Sequence, residues 1–186
     1  MTCGQGLTRA HATLMAAVVL MAGGPAVVHG QSPTEIRVGY TRLAQVAEGS
    51  RTDQLGGEAL YRVAVYADAT PLDPAKLASA DVAKALRIEI VSEDDPFSPL
   101  TRPWRRELVP RLSPVAAAQL GVLTGSMRKG DVLLVEYEPG KGTTIRGNAQ
   151  TIVSRAPHDL VVSFLDQWLG QRPVSEDLKR TLLEGP

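Results

Sequence analysis

The 186-residue chain is predicted to fold as an α+β domain, with an antiparallel sheet and helices packed on one of its faces. Three observations carry that expectation. Segments in which polar and apolar residues alternate open the domain. Short segments with helix-start signals are set between such strands. Three closely spaced strands then precede two C-terminal helical segments.

The N-terminal residues read as a leader. Arg9 gives a weakly basic start, and no acidic residue occurs before Glu35. Residues 12–22 are an uncharged apolar run, of the length of a signal-peptide core and too short to span a bilayer comfortably. Gly23, Gly24 and Pro25 break the run, and Val28 and Gly30 suit the small-residue positions before a cut at Gly30/Gln31. Residues 1–30 are therefore expected to be a signal peptide, and residues 31–186 a single periplasmic or secreted domain. An uncleaved N-terminal anchor is the alternative. Cys3 precedes the apolar run, so it cannot be the lipid-bearing cysteine of a lipoprotein.

Within the domain, Glu35-Ile-Arg-Val-Gly-Tyr40 alternates and argues a first strand. Residues 49–57 are polar and glycine-rich, which predicts a loop carrying Arg51. Residues 59–66 alternate again, with Leu60, Arg62, Ala64 and Tyr66 on one side and Tyr61, Val63 and Val65 on the other. Asp73 before Pro74 starts a helix over about 74–85, and residues 86–91 return as a strand. Residues 92–99 form an acidic turn. Thr101 and Ser113, each near a proline, start helices over about 103–112 and 114–123. Residues 131–137 are a strong strand, and Pro139-Gly-Lys-Gly142 supplies the glycines of a reversal. Residues 143–146 and 150–153 complete a three-stranded meander, with a turn at Gly147-Asn148. Leu160, Val161, Phe164, Leu165, Trp168 and Leu169 then recur at helical spacing, and Gly170 ends that helix. Ser175 caps a last helix, with Glu176 and Asp177 in its first turn.

Composition removes several function classes. Losing Arg9 with the leader leaves 19 basic residues against 20 acidic, a net charge of −1 that favours neither nucleic acid nor an anionic membrane. The only cysteine and two of the three histidines also lie in residues 1–30, leaving His158. A domain with one histidine and no cysteine can form no disulfide and no His- or Cys-based metal site. No Gly-x-Ser-x-Gly elbow accompanies His158. Neither a cofactor nor a metal is expected, no membrane segment follows the leader, and no oligomeric state is implied. Pro139-Gly-Lys-Gly-Thr143 lacks the spacing of a phosphate loop and lies in a hairpin. Trp104 followed by Arg105 and Arg106 reads as an exposed basic turn.

Lys129-Gly-Asp131, Tyr137-Glu-Pro-Gly-Lys-Gly-Thr-Thr144, Trp168-Leu-Gly170 and Pro173-Val-Ser-Glu-Asp-Leu-Lys179 together resemble exported bacterial chalcone isomerase-like proteins. The resemblance covers about residues 129–183 well and 49–92 loosely. It implies an open-faced sandwich, a large antiparallel sheet with helices on one face and a cleft between them for a flavonoid-type compound or a fatty acid. It also marks Arg51 as the cleft arginine, a residue whose planar fork suits a carboxylate or phenolate. The family's threonine or tyrosine of the next strand falls on Ala64 here. Its mid-chain tyrosine and asparagine have no counterpart in 93–128, and its late-helix threonine or serine falls near Val161. The isomerase network is thus largely missing, so no catalytic residue is assigned. Arg51 is the expected ligand-binding residue, with Tyr66 substituting from a neighbouring position and Arg62 on the same face as Tyr66. The leading function is an exported, non-catalytic binder of a small amphipathic acid such as a fatty acid. The alternatives are a chalcone isomerase-type intramolecular lyase, and a structural or partner-binding module whose cleft has closed.

Overall fold

The computed structural model describes residues 31–52, 57–68, 73–93, 109–154 and 159–185. Seven strands form one sheet: β1 (Glu35–Val38), β2 (Thr41–Thr52), β3 (Ala59–Ala67), β4 (Lys84–Ile90), β5 (Val132–Glu138), β6 (Gly142–Gly147) and β7 (Gln150–Ser154). Their spatial order is their chain order, and every neighbouring pair is antiparallel. The helices are α1 (Pro74–Leu77), α2 (Pro114–Ser126), α3 (Asp159–Leu169) and α4 (Glu176–Glu184), with a 3-10 turn at Val109–Arg111.

One face of the sheet carries the main core. Tyr61, Val63, Val65, Leu86, Ile88, Leu133, Val135 and Ile145 meet Leu160, Phe164 and Trp168 of α3 and Leu178 and Leu182 of α4 in one buried cluster. Burying each large apolar side chain there contributes about 1.5–3 kcal/mol. α4 lies against β2 at Gly49, where an added Cβ would fall 2.6 Å from Leu178 Cδ1.

The other face is not bare. β2 carries an irregularity between Gln45 and Ala47 that bends it, so its first residues and β1 fold back across the sheet. Val38 and Leu43 thereby pack on Ala64, Tyr66 and Ala85, forming a second, smaller core. The β1–β2 turn reaches as far as β5: a Cβ on Gly39 would meet the Glu138 carboxylate at 2.7 Å.

Several boundaries differ from expectation, each for a physical reason. The segment expected as a loop at 49–57 is strand through Thr52, because Gly49 fits under α4 and the ladder with β3 supplies its backbone partners. The helix expected over 74–85 stops after Leu77, because Lys84–Ile90 is taken into the sheet between β3 and β5. α2 runs to Ser126, three residues past its expected end, with the Ser113 hydroxyl accepting from Ala116 N at 3.2 Å. The last hairpin turns at Asn148 and Ala149, both at positive φ, rather than at Gly147. Residues 103–108 of the expected mid-chain helix, and with them Trp104, Arg105 and Arg106, lie outside the described residues, as does His158.

Candidate functional site

Arg51 and Tyr61 are direct partners across the β2–β3 ladder, so their side chains leave the same face with Cβ atoms about 5 Å apart. That face is the one under α3 and α4, since Tyr61 belongs to the main core. Tyr61 is 1% exposed and Arg51 half-buried. The second irregularity of β2 falls between Arg51 and Thr52 and ends the regular ladder at this pair. From α3, Trp168 Nε1 donates to the Tyr61 hydroxyl at 3.2 Å. Burial pushes the Tyr61 phenol up to about 12, against the smaller opposing pulls of the Trp168 hydrogen bond and the Arg51 charge. Tyr61 therefore stays a protonated donor at neutral pH. Among the described residues, no carboxylate forms an ion pair with Arg51.

Arg62 and Tyr66 stand on the opposite face, away from Arg51. Arg62 pairs with Ser50 and Tyr66 with Gln45 across the ladder. Tyr66 is fully buried under the β1–β2 hairpin, and burial raises its phenol to about 12 although Arg87 pulls the other way. Arg62 faces Glu48 at 3.5 Å and Glu89 at 3.8 Å, while Arg87 meets Glu89 at 2.6 Å. The Ser32 hydroxyl donates to Glu48 at 2.8 Å. These charges neutralise one another and fasten the start of the domain to the sheet. The structure therefore brings neither Arg62 nor Tyr66 to Arg51 and supplies Tyr61 in their place. The alternation of residues 59–66 had already put Tyr61 on the other side from Tyr66. The missing signal was strand pairing at Arg51, hidden by its glycine-rich surroundings.

A third polar group lies at the far end of the main-core face. Lys84, 1% exposed, donates from Nζ to Leu77 O at 2.7 Å and to Ala80 O. Its ammonium sits 5.8 Å from the centre of the Tyr137 ring, whose hydroxyl donates to the Asp81 carboxylate. Burial drives Lys84 down to about 8, opposed by Asp81, and lifts Tyr137 to about 12. The arrangement ties the turn after α1 to the sheet. A groove of about 720 Å³ runs between α2 and β7, lined by Val115, Ala118, Gln119, Val122, Thr151 and Ile152 among others. Among the described residues its lining carries no charged side chain, so it provides no cation for a carboxylate, only the amide and hydroxyl groups of Gln119, Gln150 and Thr151. Among the described residues, no cluster of three His, Cys, Asp or Glu is arranged for a metal, and no helix is long and apolar enough to cross a membrane.

A curled seven-stranded antiparallel sheet with helices on one side is the chalcone isomerase-like architecture. The chain belongs to that family, whose model, described as chalcone isomerase-like, matches residues 27–184. Among solved structures it is similar to a fatty-acid binding protein of Arabidopsis thaliana. That match has a TM-score of 0.51 and 17% identity, covering 82% of this chain and 91% of that one. No curated protein sequence matches.

Proposed function

We propose that the protein is a non-catalytic binder of a small amphipathic acid, of the fatty-acid type, with the carboxylate held by Arg51 and Tyr61. The observation that carries this reading is the half-buried Arg51 guanidinium directly across the ladder from a buried, protonated tyrosine. A cation and a neutral donor side by side, rimmed by the apolar core, match a charged head on an apolar tail. The likeness to a fatty-acid binding protein is consistent with it. An isomerase would need further polar groups around a reacting substrate. Tyr66, the expected helper of Arg51 in an isomerase, lies on the other face, as does Arg62. Residues 1–30 would direct export and be removed, placing residues 31–186 in the periplasm or outside the cell.

The test is calorimetric titration of purified protein with dodecanoate. The wild type should bind one equivalent, and Arg51→Ala should weaken binding at least tenfold, the loss expected for a charge-assisted hydrogen bond. Absence of dodecanoate binding to the wild type, with turnover of a chalcone above the spontaneous rate, would replace this reading with the isomerase one. Export is tested by the N-terminus of protein recovered from the periplasm, which should begin at Gln31.

A further inference from the structure

Trp168 does more than fill the core beneath α3. An indole N–H can only donate, so the contact with Tyr61 runs in one direction: Trp168 gives the hydrogen and the phenol oxygen receives it. The phenol's own proton must then turn elsewhere, because Trp168 offers it no acceptor. Arg51 offers none either, a guanidinium being all donor. Among the described residues, no acceptor takes up the Tyr61 proton. Indole, phenol and guanidinium thus gather three kinds of donor at one spot where, among the described residues, the one acceptor is the phenol oxygen, already engaged by Trp168. What completes such a spot is an incoming acceptor, and an anionic one gains most beside Arg51.

Trp168 is also held firmly. It sits one residue before the end of α3, where Gly170 N donates to Asp166 O at 3.1 Å and Val174 N to Gln167 O at 2.8 Å. From α4, Lys179 Nζ donates to Gly170 O at 2.9 Å. Its indole is 1% exposed, so the direction of its N–H is set by packing and not by solvent. Resting on the acid-binding reading above, we propose that Trp168 is a positioning residue, which aims the Tyr61 hydroxyl as a donor and makes the site choose a carboxylate over the neutral alcohol of equal chain length.

The experiment compares dodecanoate with dodecanol in calorimetric titrations of the wild type, Trp168→Phe, Tyr61→Phe and the double variant. Trp168→Phe should lower dodecanoate affinity about tenfold while dodecanol affinity stays within about twofold. Once Tyr61 is Phe, removing the indole should cost dodecanoate nothing further. In the ligand-free protein, the ¹⁵N–¹H resonance of the Trp168 indole should shift on Tyr61→Phe, which keeps the ring and carries the test if Trp168→Phe fails to fold. Equal losses for both ligands, or additive losses in the double variant, would mean that Trp168 only packs, and would overturn the proposal. A wild type that binds no dodecanoate sinks the acid-binding reading and this inference together. Wild-type binding that Trp168→Phe leaves unaltered sinks this inference alone.

Discussion

Stability should rise as pH rises from 7 to 9.5, and Lys84 should be the cause. Its ammonium is 1% exposed, and burial lowers its pKa from 10.5 to about 8. Between those values the unfolded chain holds a proton that the folded chain has released, so folding becomes more favourable with increasing pH. The contribution is complete above pH 10.5 and is lost as pH falls through 8. Integrating the linkage relation between these two pKa values gives about 2 kcal/mol from pH 7 to pH 9.5. Tyr61, Tyr66 and Tyr137 act in the opposite sense, since their folded pKa values near 12 exceed the unfolded 10 and destabilise the fold as pH climbs through 10. At pH 9.5 they together offset only about 0.5 kcal/mol. Urea unfolding followed by circular dichroism at both pH values, on the wild type and Lys84→Met, isolates the lysine. The wild type should gain about 1.5 kcal/mol, and Lys84→Met should lose that gain and decline slightly. An identical pH response in the two proteins would show that the buried ammonium is not the source, and the reasoning from desolvation would fail.

Further outcomes follow from other contacts. Dodecanoate binding should weaken as pH drops below about 5, where a carboxylic acid group takes up its proton and leaves Arg51 without an anion, as titrations at pH 4 and 7 will show. Ala149→Gly should raise stability by roughly 1 kcal/mol and the melting temperature by about 3 °C, because Ala149 sits at φ +59° in the β6–β7 turn. Gly49→Ala should cost about 1–3 kcal/mol in urea unfolding, since its Cβ would press on Leu178. Ser113→Ala should cost about 1 kcal/mol by removing the cap of α2.

Those elements whose signals are local were legible in the sequence. The meander over β5, β6 and β7 is written in alternation and turn residues, and α3 in helical spacing that the core then uses. The long second strand was not, because Gly49, Ser50 and Arg51 look like loop until α4 and β3 are in place around them. The end of α1 is hidden for a related reason: Lys84 and Ala85 suit a helix by propensity, but sheet pairing on both sides claims them. At the candidate site Arg51 could be picked out from a family pattern. Its partner Tyr61 could not, because ungapped matching places Ala64 where the family's polar residue stands. Which tyrosine faces Arg51 depends on register, and a one-residue change of register exchanges the faces.

The anchoring of Ser32 to Glu48, with Thr34 O accepting from Gln45 N at 2.9 Å, gives the molecule a defined polarity. The described chain starts on the face that the β1–β2 hairpin covers, with the whole thickness of the sheet between it and Arg51. An affinity handle or a surface linker joined at Gln31 would therefore leave from the rear of the sheet. Protein immobilised by that end would turn its helical side, and with it the edge where Arg51 is half-buried, towards the solution.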